Sequence, residues 1–341
     1  MPRSKQPFLI FGTALASLLL WLAFRNPAVT KPLTGAMDQL SNFTTIFLAI
    51  FIEAAAFLLF GTLASGLVEV FINQDDIARF IPRDPIRGAL VGSLMGLLFP
   101  VCECGVVPLT RRLFKKGLPL SVGIAFLLAA PMFNPIVIAS TIAAFGIGPL
   151  LFWRIGLTLA IATVTGLAFS TQKHPERLLR PVAWMPIGGG SGAAPVVAVF
   201  QRPGLRDGLH RTLVVAMDEF FEMGYYLIIG SLLASLMQTV VPQSALLSLG
   251  SGPVISVITL VALAVLLSIC STVDAFIART FIGTFTTGSM LAFLVYGPMV
   301  DIKSTLMFLG VFRPRAVVYL VLLPLAMTLF AAIALNLYTT W

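Results

Sequence analysis

The chain has 341 residues, of which 58% are hydrophobic and only 11% charged, and its net charge at neutral pH is +8. Soluble domains carry roughly a quarter charged residues, so a soluble enzyme is excluded, and three cysteines are too few for a disulfide-built secreted module. The basic residues lie in short clusters between apolar runs instead of one continuous stripe, a pattern that orients membrane loops and does not bind nucleic acid.

Apolar stretches of about twenty residues are long enough to cross a bilayer core. In chain order they fall at 8–24, 43–72, 88–108, 117–145, 150–170, 213–241, 254–275, 281–308 and 316–338. The first follows Arg3 and Lys5 and is short enough to be a signal peptide cleaved after Ala23 or Ala28; a retained helix is the preferred reading, because more spans follow. Residues 1–42 are thus expected to form an N-terminal transmembrane helix and loop, 43–170 a first repeat, 171–211 a cytoplasmic linker and 212–341 a second repeat. The linker holds both histidines, His174 and His210, and the flexible run Gly188-Gly189-Gly190-Ser191-Gly192. A histidine-based catalytic or metal site is therefore not expected, and no cofactor is called for.

The repeat is weak but ordered. Ala125-Phe126-Leu127 followed by Pro131-Met132 recurs as Ala292-Phe293-Leu294 followed by Pro298-Met299, and the same offset aligns Asn134 with Asp301. With a residue or two of slack, Cys102 aligns with Cys270 and Glu53…Gly61 with Glu222…Gly230. Charge then bears on topology. If 88–108 and 253–275 are re-entrant, the clusters at Arg3/Lys5, Arg79/Arg83/Arg87, 111–116, 171–211 and Arg313/Arg315 all face the cytoplasm, as the positive-inside rule requires. Either stretch is also long enough to cross outright. With re-entrant segments each half has an odd number of crossings, and the halves insert in opposite senses. The expected fold is an all-α polytopic membrane protein of two inverted repeats with discontinuous or re-entrant helices, plus an extra N-terminal helix, which is a transporter architecture.

Two kinds of segment carry chemistry. Ala130-Pro131-Met132-Phe133-Asn134-Pro135 and Gly297-Pro298 with Asp301 interrupt apolar spans. Prolines free carbonyls there, and such backbone survives at depth only against protein or a wet cavity. The other segment is Pro100-Val101-Cys102-Glu103-Cys104-Gly105-Val106-Val107-Pro108. In an extended or turning backbone its two thiols can face the same way, and thiols select soft partners. A disulfide between them would be strained. Intramembrane acids are functional candidates by default: Glu53, Glu103, Glu222, Asp274 and Asp301, with Asp218 and Glu219 near a helix start. The structural alternative is that they pair with Arg154, Arg279 or Lys303, or serve as neutral hydrogen-bonding glue.

The run Cys102-x-Cys104-Gly105-x-x-Pro108, then Gly117, Phe126-Leu127 and Pro131-x-x-Asn134, resembles the YraQ/ArsP-type permease family of bacterial inner membranes, from about residue 43 to the end. Members of the ArsP branch export trivalent organoarsenicals. The resemblance implies an inner-membrane permease with a cytoplasmic N-terminus and with cysteines that contact a thiophilic cargo. Between the cysteines the family usually has a small residue and this chain has Glu103, which leaves room for a cationic or proton-coupled substrate. The expected site is Cys102, Glu103, Cys104, Pro131, Asn134, Cys270, Pro298 and Asp301 for a small-molecule substrate, with Glu53, Glu222 and Asp274 coupling ions. Lipid is the surrounding partner, and homo-oligomerisation stays open. Rival readings are an intramembrane thiol oxidoreductase, a permease for a sulfur-containing small molecule, and a passive channel. No Gly-x-x-x-x-Gly-Lys-Ser/Thr segment is present, so the chain carries no phosphate-binding loop of its own.

Overall fold

The computed structural model describes residues 34–72, 77, 79, 81–82, 84–97, 99, 101–172, 178–179, 204–240 and 252–338. The expected first helix, most of the linker with its glycine run, and Pro100 lie outside the described residues. The chain is an all-α polytopic membrane protein. Its first half contains α1 (Thr34–Phe71), α2 (Pro85–Leu94, extended by a 3-10 turn Met95–Leu97), α3 (Glu103–Lys115), α4 (Leu120–Ala129), α5 (Pro135–Phe145) and α6 (Pro149–Ser170). The second contains α7 (Leu205–Val240), α8 (Ile255–Leu267), α9 (Asp274–Arg279), α10 (Thr287–Met299), α11 (Ile302–Val311) and α12 (Pro314–Tyr338). The order of long and short helices is the same in both halves. Among the described residues five stretches are long and apolar enough to cross a membrane: Gln39–Phe71, Pro149–Ser170, Arg206–Val240, Thr287–Val311 and Pro314–Tyr338. Two boundaries differ from the sequence reading. Helix α1 starts well before residue 43 because polar residues such as Gln39 and Ser41 continue its helical backbone, and α7 begins at Leu205, inside the expected linker.

Relative direction follows from close helix approaches. At Gly66 an added Cβ would meet the backbone oxygen of Thr212, so the end of α1 lies beside the start of α7. Equivalent helices of the two halves therefore run antiparallel, and the halves are inverted. Gly92 and Gly96 of the α2 segment lie against Val122 and Ala130 of α4, so α2 and α4 run parallel. Helix α4 starts a short turn after α3 ends, and Lys116 in that turn donates to the Glu69 and Ile72 carbonyls at the end of α1. Helix α2 thus begins, and α3 ends, at one end of the molecule. At the other end, Asn336 of α12 joins the starts of α8 and α10 by bonding Pro253 O and Gly288 N. The pair α8–α9 repeats the arrangement from that side.

The rings of Phe114 and Phe312 meet edge to face at 6.0 Å, and Arg313 N donates to Leu178 O at 2.8 Å. Residues 111–116 and 313–315 therefore share one end. The halves also exchange partners: α3 packs on α11, and α9 packs on α5. Helix α3 crosses α1 where Gly61 and Gly105 meet backbone to backbone, too close for a Cβ on either side. Small residues of this kind let helices approach in the absence of a hydrophobic driving force between them.

Candidate functional site

The interrupted helices end together in the interior. Helix α3 opens with Cys102 as its N-cap, in extended conformation (φ −82°, ψ 178°) with no side-chain cap bond. Its carbonyl accepts from Gly105 N and Val106 N. Glu103 is the first helical residue, where an acid complements the positive helix end. Cys104 follows, with its thiol close enough to that of Cys102 for the two to influence each other. The sequence reading of a turning segment holds at Cys102, while Cys104 already belongs to the helix.

The breaks in the two other paired helices are built alike. Asn134 caps α5 by accepting from Ile136 N at 3.0 Å, with Pro135 in the first turn, where its missing N–H costs nothing. Asp301 caps α11 through a capping box: Oδ1 accepts from Ser304 N at 2.6 Å, and Ser304 Oγ accepts from Asp301 N at 2.9 Å. Pro298 lies inside the last turn of α10, whose helix stops at Met299, so this break falls just after the proline instead of on it. On the remaining hairpin, α8 ends at Ser268, which adopts left-handed φ 46°. Such backbone in a non-glycine residue persists where its surroundings hold it, and here Gln238 of α7 donates to the Leu266 and Leu267 carbonyls at that end. Cys270 follows in the connection to α9, buried and free like the other two cysteines.

Lys303, in the first turn of α11, draws these ends together. Its Nζ stands 3.6 Å from Asp301 Oδ2 and 3.9 Å from Glu103 Oε1 in the opposite half. Cys104 and Cys270 lie within its electrostatic reach. Glu103, Asp301 and Lys303 are each no more than 3% exposed. Glu103 Oε2 has no hydrogen-bond partner among the described residues, and Glu53 on α1 lies within its electrostatic reach. Two carboxyls, one ammonium and three thiols from both halves therefore share one interior region.

Other expected residues sit elsewhere. Asp274 pairs with Arg154 of α6 at 2.5 Å, and Arg154 also donates to Thr141 Oγ1 at 2.8 Å and meets Met132 Sδ at 3.6 Å. This cluster borders a small pocket lined by Phe133, Leu151 and Thr158 among others. Pro131 is buried within the α4–α5 break. Glu222 lies apart, 2.8 Å from Arg111 with nearly half of its side chain exposed.

Arg112 Nε bonds Glu219 Oε1 at 2.9 Å, and Glu69 stands 3.7 Å from its Nη1. Arg111 and Arg112 belong to α3 and are buried, where the charge pattern suggests a cytoplasmic loop. Counter-charges on α1 and α7 make that burial affordable. Lys303 and Arg154 entered the sequence reading only as ion-pair partners for the acids, and Asp301 and Asp274 do pair with them. No group of three or more His, Cys, Asp or Glu with metal-binding geometry exists among the described residues.

Inverted halves, paired helix breaks and buried polar groups at their junction define a polytopic membrane permease. The chain belongs to the ArsP_1 family of predicted permeases, whose model matches residues 39–337. It is 44% identical over 287 residues to the UPF0718 protein YcgR of Bacillus subtilis, covering 84% of this chain and 94% of that protein. It is 35% identical over 280 residues to a putative two-component membrane permease complex subunit of Streptococcus mutans, covering 81% and 89%. The UPF0718 protein YraQ of Escherichia coli is 26% identical over 146 residues, covering 43% and 39%. No solved structure matches the chain.

Proposed function

We propose that the protein is an inner-membrane permease that exports a soft, thiol-reactive small molecule, such as a trivalent organoarsenical, by alternating access between its two halves. In this reading the end bearing residues 111–116 and 313–315 is cytoplasmic, as the positive-inside rule requires, and the N-terminus lies on that side. The hairpins α2–α3 and α8–α9 are re-entrant, the first from the cytoplasm and the second from the opposite face. Cys102, Cys104 and Cys270 contact the cargo, and the breaks at Pro131/Asn134 and Pro298/Asp301 form the walls. Glu53, Glu222 and Asp274 form the set from which the coupling carboxyl comes.

The supporting observation is that thiols from both halves lie within electrostatic reach of Lys303 at the helix breaks, with Glu103 and Asp301 beside it. Each thiol is aligned with a helix end that belongs to one half only, so relative movement of the halves changes which face reaches them. A soft trivalent centre exchanges hydroxide for thiol sulfur, and reversible exchange of this kind suits pick-up and release. The relative described as a two-component complex subunit supports a second protein acting alongside this chain.

Uptake of methylarsenite into everted membrane vesicles tests the reading. Saturable uptake by the native chain should be lost in Cys102→Ser and Cys104→Ser variants present at native levels. Unchanged uptake removes the cysteines from the path.

A further inference from the structure

The ion pair Arg154–Asp274 differs from the other buried charges in how it is anchored. Arg154 is tied to the first half by two contacts, Thr141 on α5 and Met132 in the α4–α5 break. Among the described residues its polar contact across the halves is to Asp274, at the start of α9 in the second half. Both side chains are 3% exposed, and Arg154 Nε and Asp274 Oδ1 have no hydrogen-bond partner among the described residues. Of the elements packed on α9, α5 carries no charged residue, and α10 carries one titratable side chain, Tyr296, whose hydroxyl faces Val321 O. On α9 itself the remaining charge is Arg279, which is exposed. Arg154 is therefore the charged group that faces Asp274.

We propose that Arg154 and Asp274 form the proton-coupling site of the permease, with Arg154 as the positioning residue that makes Asp274 bind or release a proton according to whether the halves are closed at this end. The proposal rests on the alternating-access reading and narrows its coupling carboxyls to one. When α9 moves away from α5 and α6, the charged contact that breaks is the ion pair. A carboxylate left without its guanidinium in apolar surroundings is neutralised by taking up a proton. When the halves close again, the returning guanidinium favours the carboxylate and the proton leaves. Arg154 lies near the start of α6, and Gly166 near the end of that helix meets Ser121 at the start of α4. The pair therefore lies toward the end opposite Phe114 and Phe312, so the proton enters from the outer face and departs toward the cytoplasm. Inward proton flow then drives outward cargo.

The test reads opening without reference to cargo. Ala278 is fully buried on α9, and an Ala278→Cys variant of the reconstituted full chain reports exposure of that helix to a membrane-impermeant maleimide. Labelling is resolved by mass spectrometry, and normalised at each pH to the denatured protein. Acid should raise the normalised labelling in this parent. With Asp274→Asn or Arg154→Gln added, labelling at alkaline pH should already match the acid value of the parent, and the pH dependence should be lost. Arg279→Gln should behave as the parent. The double variant Asp274→Asn/Arg154→Gln removes both charges, is better tolerated than either single change, and should also be insensitive to acid.

Persistence of the parent's pH dependence in Asp274→Asn or in the double variant overturns the proposal, as does continued protection at alkaline pH. Failure of the native chain to move methylarsenite, with labelling as expected, removes the cargo reading and leaves the coupling site standing.

Discussion

Replacing Lys303 by methionine is expected to destabilise the protein by about 3–5 kcal/mol and to abolish transport. The substitution leaves Glu103 and Asp301 facing each other, both buried, without the ammonium that stands 3.9 and 3.6 Å from them; breaking a buried pair from one side strands a charge at that cost. The two acids are not equivalent. Asp301 also caps α11 through Ser304, whereas Glu103 has one oxygen with no partner. Glu103→Gln alone should therefore cost less than Lys303→Met, since Lys303 keeps Asp301 and no charge is stranded. The double variant Glu103→Gln/Lys303→Met should recover a large part of the loss. Thermal unfolding in detergent, followed by loss of the monodisperse species, measures all three. An additive double variant would mean that Lys303 and Glu103 do not sense each other across the halves.

Arg112→Met should carry a comparable cost, about 3–5 kcal/mol, while Arg111→Met at the adjacent position should cost under about 1 kcal/mol. The arginines are both buried, but their partners differ. Glu219, bonded to Arg112, is 2% exposed and is left as an uncompensated charge. The Glu222 side chain, paired with Arg111, is 47% exposed, so water takes over when the arginine is gone. The same unfolding assay decides it, and equal costs for the two substitutions would contradict this account of the α3–α7 contact.

The legible and illegible parts of this chain divide on physical grounds. Crossing helices were readable because a bilayer imposes a length and a composition, and α6 and α12 fall within a few residues of the apolar runs that announce them. The breaks at 130–134 and 300–301 were readable because proline removes an amide donor, and the caps Asn134 and Asp301 stand in the repeat positions assigned to them. Convergence of Cys102, Cys104 and Cys270 was readable only through the repeat and the family resemblance. The cations were harder. Lys303 and Arg154 have no motif around them, and a basic residue in an apolar run signals its partner only once the fold brings a carboxylate from the other half. Arg111 and Arg112 misled for the same reason: adjacent to Lys115 and Lys116 they read as a solvated cluster, yet Glu69, Glu219 and Glu222 arrive from distant helices to bury them. Glu222, counted among the coupling acids, pairs with Arg111 near the α3–α7 contact.

The claim that two opposed halves bring their thiols to one interior site is tested most directly by a dithiol-bridging reagent. A protease site is placed between residues 180 and 203, the reconstituted protein is treated with a monosubstituted trivalent arsenical, and the chain is then cut. The account predicts that the halves stay joined, through Cys270 on one side and Cys102 or Cys104 on the other, and that Cys270→Ser lets them part. Halves that separate in the native sequence, with the bridge confined to Cys102 and Cys104, would contradict it.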